Sequence, residues 1–356
     1  MKLFIINPGS TSTKVALFDN NKEIWSETQR YDTDVISKFE SIGSQEEFRF
    51  TEISKILKEK GVSPQEFDAV VGRGGLLRPI KGGTYEINKK MIEELLSSQN
   101  GSHASNLGAP LAARFAEAGG GKARSFIVDP VVVDELVDEA RISGLPEINR
   151  RSIFHALNQK AVARRAAAEM GKTIQDCNFI VAHMGGGVSV GAHEKGRVID
   201  VSNGLDGEGP MSPERSGALP AGKLVSMCFS GKYTKRDIEK MIVGNGGLVA
   251  HLGTNDLREV EKRIENGDSH TALIFNALCF QIAKEIGSCA AVLKGKVDKI
   301  LLTGGLAYSK KLCEIITHRV SFIAPIEIFP GEGEMEALAE GALMVLEGRE
   351  PAQVYD

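Results

Sequence analysis

The sequence predicts an α/β fold in which one structural unit occurs twice. The first observation is that strand-like and helix-like patterns alternate along all 356 residues, as they do in α/β proteins. The second is that two glycine-rich hairpins lie about half a chain apart, each beginning at an apolar strand. The third is the length, which is sufficient for roughly two domains with separate cores.

The two hairpins share one pattern. The first turns at Asn7-Pro8-Gly9-Ser10 and the second at Gly185-Gly186-Gly187, and each continues through a returning strand, a polar turn and a third strand. Small residues let the backbone approach a ligand closely, and successive N–H groups in such a turn suit an anion. We therefore expect the two turns to hold the phosphate chain of a nucleotide across a cleft.

The other elements follow from apolar spacing and from glycine stop signals. In the first half, helices are predicted at residues 51–60, 88–98, 108–118, 131–141 and 153–170. Short apolar runs predict buried strands there at residues 69–71 and 125–128. The second half is expected to contain helices at residues 234–242, 255–266, 270–293, 306–317 and 334–347, with strands at 299–303 and 322–329.

A domain boundary is predicted near Pro146-Glu147-Ile148-Asn149, just after the stop at Gly144. The N-terminal domain then covers residues 1–148 and the C-terminal domain covers 149–336. The final segment, 337–356, is expected to pack back on the first domain.

Composition excludes several classes of protein. The net charge of −4 offers no global electrostatic case for binding nucleic acid or an anionic membrane. The five cysteines contain no C-x-x-C pair, which argues against a zinc site or a disulfide framework. We therefore expect the protein to be located in the reducing cytoplasm. No apolar run approaches the ~18 residues that span a bilayer, and the N-terminus becomes polar at Asn7, too early for a secretion signal.

Two common nucleotide motifs are absent. Gly119-Gly120-Gly121-Lys122 is followed by Ala123, so no hydroxyl is placed for Mg²⁺ as in a P-loop. Neither early strand leads through G-x-G-x-x-G into a helix, which disfavours a Rossmann dehydrogenase. The alternative that remains is a phosphate-binding turn between two antiparallel strands.

This arrangement resembles the sugar-kinase, chaperone-ATPase and actin superfamily, which has duplicated ribonuclease-H-like domains around a nucleotide cleft. Within it, a close resemblance to the acetate/butyrate kinase family covers nearly the whole chain. Asn7-Pro8-Gly9-Ser10-Thr11-Ser12-Thr13-Lys14 is similar to that family's opening signature, in which Asn replaces the usual Asp. The further motifs are Gly72-Arg73-Gly74-Gly75, Asp129, Arg150-Arg151-Ser152-Ile153-Phe154-His155, His183-Met184-Gly185-Gly186-Gly187, Glu214-Arg215-Ser216-Gly217, Asp256-Leu257-Arg258-Glu259 and Leu302-Thr303-Gly304-Gly305.

Departures from the acetate kinase pattern match the butyrate kinases. Gly74 and Gly75 stand where acetate kinases have two valines, and the loop at His103 lacks their His-Asn-Pro. Small residues at Gly75 and Ala104 would enlarge the acyl pocket, and each extra buried methylene is worth about 0.8 kcal/mol. The resemblance therefore implies the reaction of ATP with butyrate or isobutyrate to give ADP and butyryl phosphate.

The implied chemistry needs no general base, because the acceptor carboxylate is already an anion. Positioning and electrostatics carry such a phosphoryl transfer. The resemblance implies catalytic roles for Arg73, Asp129, His155, His183 and Arg215. It implies binding of ATP or ADP by Asn7, Ser10, Ser12, Lys14, Gly185, Gly186, Gly187, Asp256, Arg258, Gly304 and Gly305.

Mg²⁺ is the second implied cofactor, with Asn7, Asp129 and Glu336 as its partners, since this hard ion favours oxygen. The family also implies at least a homodimer, and the long apolar helix at 270–293 is a candidate interface.

Several alternatives stay open at this stage. Asp129 and Asp256 could cap helices, His183 could be a hydrogen-bonded core residue, and Glu332 and Glu334 lie close to Glu336 in sequence. A sugar kinase of the same superfamily could use Asp129 as its base. A non-catalytic, actin-like or chaperone-type ATPase is a third reading, although no spare segment of about 100 residues is available for a peptide-binding module.

Overall fold

The computed structural model describes all 356 residues and contains two sheets. The six-stranded sheet consists of β1 (Lys2–Pro8), β2 (Ser12–Asp19), β3 (Lys22–Arg30), β4 (Ala69–Arg73), β5 (Thr84–Glu86) and β6 (Arg124–Val128). The five-stranded sheet consists of β7 (Asn178–Met184), β8 (Val188–Glu194), β9 (Arg197–Val201), β10 (Lys299–Gly304) and β11 (Ile326–Pro330).

The two sheets repeat one topology. Their strand orders are β3-β2-β1-β4-β6-β5 and β11-β10-β7-β8-β9. In each, an antiparallel three-stranded meander is extended by two parallel strands, β4 and β6 or β10 and β11. The predicted duplication is thereby confirmed, and β5 is an addition at the edge of the first sheet.

Thirteen α-helices connect and cover the strands. They are α1 (Thr33–Ile36), α2 (Glu46–Glu59), α3 (Lys89–Leu96), α4 (Gly108–Ala118), α5 (Asp138–Arg141), α6 (Ala156–Glu169), α7 (Ala221–Cys228), α8 (Lys235–Ile242), α9 (Gly247–Leu252), α10 (Leu257–Glu265), α11 (Ser269–Val292), α12 (Lys310–Val320) and α13 (Glu334–Leu346).

Contacts divide the chain into two units. Unit 1 contains Met1–Val133 and Gly333–Asp356, and unit 2 contains Asp134–Glu332. The segment 134–148, assigned from sequence to the first domain, groups with unit 2. Glu135 forms a buried ion pair with Lys160 at 3.0 Å, and the Val137 N–H donates to the carbonyl of Ile199.

The core of unit 1 is aromatic on one face of its sheet. Phe4 stacks on Phe67 and meets Phe115 edge-on, at centroid distances of 5.0 and 5.5 Å. Helix α4 lies so close to β4 that a Cβ on Gly72 would fall 2.1 Å from the carbonyl oxygen of Gly108. Glycine is therefore required at this crossing.

Unit 2 is built on the 24-residue helix α11. Its buried side chains include Ile274, Leu278, Ile282 and Ile286, spaced four apart as a single helix face requires. Their cluster includes residues of β7, β8 and β10, so this helix covers one face of the second sheet.

Three predicted elements need correction. Residues 131–137 are not helical, and only the short helix α5 lies in the predicted range 131–141. Three consecutive valines follow Pro130 here, and β-branched side chains disfavour helix. The strand expected at 322–329 is confined to β11, and the helix expected at 306–317 is a 3₁₀ turn followed by α12. The prediction missed β5, α1, α7 and α9.

All five cysteines are free thiols. Cys177, Cys279, Cys289 and Cys313 are buried, and Cys228, the last residue of α7, is exposed. Burial raises the pKa of the Cys279 thiol to about 12 and that of Cys313 to about 11. None of the helices combines the length and the apolar character that crossing a membrane demands.

Candidate active site

The β1–β2 turn of unit 1 is held from behind by Arg49. This side chain is fully buried, and its guanidinium donates to the carbonyl oxygens of Gly9, Ser10 and Ser12 at 2.8 to 3.1 Å. Gln45 accepts two further hydrogen bonds from it. The turn is therefore fixed through its carbonyls, while Ser10 is exposed at its tip.

Asn7 and Lys14 are directly opposite one another in the β1–β2 pairing. Paired residues project on the same face of a sheet, so the two side chains share a face beside the turn. Lys14 is exposed and Ser12 is partly buried.

Asn7, Arg73 and Glu334 form a charged cluster within unit 1. Arg73 contacts the Glu334 carboxylate at 2.6 Å, and Asn7 donates to the same carboxylate at 2.7 Å. Arg73 also donates to Asn7 Oδ1 at 3.4 Å. Glu336, the sequence-based metal candidate, is exposed further along α13. The structure thus places Glu334, rather than Glu336, beside Asn7.

Asp129 follows β6 in a left-handed conformation, with φ of 37°. A non-glycine residue in this region is strained and often marks a functional position. It is 1% exposed, and its Oδ1 accepts a hydrogen bond from the Gly83 N–H at 2.7 Å. No α-helix begins directly after it, so the helix-cap alternative does not describe this residue.

The β7–β8 turn of unit 2 is packed against Arg215. A Cβ on Gly187 would lie 2.3 Å from the Arg215 guanidinium, so a side chain at this position would displace that guanidinium. Ser212 Oγ donates to the carbonyl of Gly186 at 2.7 Å and accepts from the Arg215 N–H at 3.1 Å. Burial lowers the pKa of Arg215, and the charge of Glu214 opposes that shift.

His155 and His183 stack face to face near this turn. Their ring centroids are 3.8 Å apart and the ring planes differ by 12°. His155 occupies the residue before α6, and His183 lies on β7 directly before Met184. Helix α6 holds both rings, because His183 Nδ1 contacts Asn158 at 2.7 Å and His155 Nδ1 shares Ser189 with Gln159.

A cavity of about 690 Å³ in unit 2 adjoins the glycine turn. This volume lies within the range of cofactor pockets. Five of the sequence-predicted nucleotide residues line it: Gly185, Gly186, Asp256, Arg258 and Gly305. The other lining residues were not among the predicted nucleotide-binding residues; they are Pro213, Glu214, Asn255, Leu257, Glu261, Leu306, Tyr308, Ser309 and Glu332.

Asp256 serves two purposes in this cavity. It is the N-cap of α10, accepting from the Arg258 N–H, and it also pairs with the Arg258 side chain at 2.7 Å. These hydrogen bonds lower the pKa of Asp256 to about 2. Gly304 does not line the cavity; its φ of 89° and its close approach to the Met184 backbone explain why glycine stands there.

The acyl-pocket argument based on Gly75 is wrong. A Cβ on Gly75 would lie 2.6 Å from both Cα and Oδ1 of Asn106. Asn106 is fully buried and donates to the carbonyl of Gly101 at 2.9 Å. The missing side-chain volume is therefore filled by protein, and this glycine reflects packing rather than an enlarged pocket.

Comparison with known proteins identifies the family of this chain. The model of the acetokinase family matches residues 146–324. Butyrate kinase 2 of Clostridium acetobutylicum is 58% identical over 354 residues, which is 99% of this chain and 99% of that protein. The chain belongs to the acetokinase family. The resemblance inferred from its motifs and the prediction of an ATP-dependent short-chain carboxylate kinase are thereby confirmed.

Solved structures support the fold assignment. The acetate kinase of Porphyromonas gingivalis has a TM-score of 0.79 at 21% identity, covering 97% of this chain and 99% of that chain. A propionate kinase from Francisella tularensis subsp. tularensis SCHU S4 has a TM-score of 0.74 at 19% identity, covering 96% and 98%. The predicted actin-like ATPase fold class is confirmed.

Proposed function

We propose that this enzyme transfers the γ-phosphoryl group of ATP to the carboxylate of butyrate. A carboxylate oxygen forms the new bond to phosphorus, the bond from phosphorus to the β–γ bridging oxygen breaks, and ADP leaves. The observation that carries the choice of acid is the full-length identity of 58% to a protein named butyrate kinase 2.

The nucleotide is assigned to unit 2. We propose that adenosine occupies the cavity beside Asp256, Arg258 and Gly305, with its phosphates toward Gly185 and Gly186. The support is that all five residues line one cavity. Glycines at the turn permit close approach of the backbone to phosphate oxygens.

The transferring group carries negative charge, and the acceptor is an anion. We propose that Arg215 and the histidine pair stabilise this charge on the unit 2 side, and that Arg73 orients the carboxylate. Arginine suits both tasks because its planar fork can donate to two oxygens at once. Arg73 forms an ion pair with Glu334 at 2.6 Å.

Mg²⁺ fits the donor set of unit 1 only in part. Asn7 Oδ1 and the Glu334 carboxylate both contact Arg73, and oxygens of these two kinds are the ligands this ion prefers. Asp129 adds a buried carboxylate to unit 1. No group of three or more His, Cys, Asp or Glu side chains is arranged to hold a metal. We propose that Glu334 replaces Glu336 in this role, and that Mg²⁺, when bound with ATP, neutralises phosphate charge.

The test is a hydroxamate assay, which detects acyl phosphates and not sugar phosphates, run with straight-chain acids from two to five carbons. We expect the highest kcat/KM at four carbons for the wild type. Arg73→Ala should lower kcat/KM about 10³-fold, because a catalytic arginine contributes on that scale to phosphoryl transfer.

Arg114→Ala is the control for that variant, since it removes a surface arginine paired with Glu46 and Glu47. Its rate should match the wild type. Highest activity with acetate would contradict the proposed acid, and equal rates for Arg73→Ala and the wild type would remove Arg73 from the mechanism.

We further propose a cytoplasmic homo-oligomer. Free thiols at all five cysteines support a reducing compartment. The exposed side chains Leu273 and Phe280 on α11, which are 65% and 50% accessible, support this helix as part of the interface.

A further inference from the structure

We propose that a buried hydrogen-bond chain through His193, Gln159 and Ser189 fixes the tautomer of His155, so that its Nε2–H is the donor presented to the transferring phosphoryl group. The three residues are positioning residues, because they act through His155. The inference rests on the proposed function for its catalytic meaning, while the tautomer itself is a property of the unliganded protein.

The orientation of the Gln159 side-chain amide is fixed by its neighbours. Its Nε2 lies 3.0 Å from the backbone carbonyl oxygen of Ser189, and a carbonyl can only accept. The amide nitrogen of Gln159 must therefore face Ser189. Its Oε1 then faces His193, whose Nε2 is 3.0 Å away and has to be the donor.

The direction of the Ser189 hydroxyl proton is fixed in the same way. Its Oγ receives the Gln159 amide at 2.9 Å and the backbone N–H of His155 at 3.5 Å. Both neighbours are donors, so the single hydroxyl proton is directed to the remaining contact, His155 Nδ1, at 2.9 Å. His155 Nδ1 accepts, and a neutral imidazole then carries its proton on Nε2.

His193 forms the buried end of this hydrogen-bond chain. His193 is 1% exposed. Burial, reinforced by the charges of Lys160 and Arg164, lowers the pKa of His193 to about 3. The ring is therefore neutral at physiological pH, and each donor along the chain points toward His155.

His183 is held in the opposite tautomer by the adjacent residue of the same helix. Asn158 Nδ2 donates to the carbonyl oxygen of Glu332 at 2.6 Å, which leaves Asn158 Oδ1 to accept from His183 Nδ1 at 2.7 Å. His183 Nδ1 therefore carries a proton, whereas His155 Nδ1 accepts one, and the Glu332 carboxylate lies 4.0 Å from His183 Nε2.

The direct test is long-range ¹H–¹⁵N NMR of the unliganded enzyme labelled at histidine nitrogens, at pH 7.5. We expect the spectrum of His155 to show the proton on Nε2 and that of His183 to show it on Nδ1. Ser189→Ala removes the donor to His155 Nδ1, so the His155 signals should shift toward the other tautomer or toward a mixture.

Kinetics of the same variants supply the second readout. Ser189→Ala should lower kcat about 10-fold to 100-fold with KM for ATP and butyrate changed less than about twofold, because orientation of the donor is lost and binding is not. Ser189→Thr, which keeps the hydroxyl, should restore the wild-type tautomer and most of kcat. Gln159→Leu should resemble Ser189→Ala.

Ser202→Ala is the matched control. Ser202 is an equally buried hydroxyl that accepts from the Val190 N–H and contacts neither histidine. In Ser202→Ala, the tautomers of His155 and His183 and the value of kcat should match those of the wild type. A proton on Nδ1 of His155 in the wild type, or unchanged His155 signals in Ser189→Ala, would overturn the inference. Absence of acid-dependent ADP formation by the wild type would instead contradict the proposed function, with the NMR result unaffected.

Discussion

Gly75 lies where a side chain would collide with its neighbours, although its residue type suggests spare space. Asn106, which a Cβ would meet, is held by a hydrogen bond from its Nδ2 to Gly101, and its Oδ1 accepts from the Leu76 N–H. Such a neighbour cannot move aside without losing buried hydrogen bonds. Preference for a longer acid must therefore come from other residues.

Gly75→Val should consequently destabilise the protein rather than convert it to an acetate-preferring enzyme. We expect the free energy of unfolding to fall by about 2–3 kcal/mol in urea titrations, in line with overpacked sites. Gly222→Ala, at an exposed helical glycine with open space around it, should change stability by less than 1 kcal/mol. A stable Gly75→Val protein that prefers acetate would restore the pocket argument.

Glu334 and Glu336 show the limit of residue-level inference. The two carboxylates lie two positions apart in the first turn of α13, which rotates them about 200° from each other around the helix. Asn7 meets only Glu334. The sequence identified the acidic cluster, but only the register of the helix decides which member faces the site.

At the scale of elements, the β1–β2 turn depends on a residue outside it. Arg49 comes from α2 and binds three carbonyls of the turn, and none of its hydrogen bonds goes to a carboxylate. Burial lowers the pKa of this guanidinium, and Tyr31 opposes the shift. The charge is stabilised by the carbonyl dipoles, and in return it fixes the turn.

Arg49→Met should leave those carbonyls unpaired. We expect a loss of about 3 kcal/mol in the free energy of unfolding, from hydrogen bonds to a charged group, and at least a tenfold rise in KM for ATP. Arg49→Lys should recover part of both, because one ammonium cannot reach every acceptor. The checks are urea denaturation and steady-state kinetics; an unchanged KM in a stable Arg49→Met protein would show that the turn does not bind nucleotide.

The sequence predicted most elements because their signals are local. Alternation and glycine turns identified both meanders, and α4 was predicted at its observed bounds, 108–118. The helix expected at 131–141 failed because Val133 pairs with Ile80 and Val137 bonds to Ile199, contacts that no local pattern reveals. The side chains behind the site, Arg49 and Gln159 among them, were missed for the same reason: tertiary contacts alone define their roles.

At the scale of the whole molecule, the two units differ in continuity. Unit 2 is one uninterrupted stretch, whereas unit 1 needs both ends of the chain. Helix α13 closes the core of unit 1, burying Leu338 and Leu343 completely and bringing Gly341 against Val128 of β6.

A fragment of residues 134–332 should therefore fold alone, with a cooperative urea transition followed by circular dichroism. The fragment 1–133 should not, since it lacks the surface that α13 buries. Joining 333–356 to it through a flexible linker should restore a cooperative transition. Cooperative unfolding of 1–133 by itself would show that α13 is dispensable.

Burial of all the thiols but one has a practical result. A maleimide fluorophore added to the unmodified enzyme will attach at Cys228, because the other sulfur atoms are out of reach of the reagent. Residues 221–228 thus carry a ready-made reporter position, and a single-label preparation requires no mutagenesis.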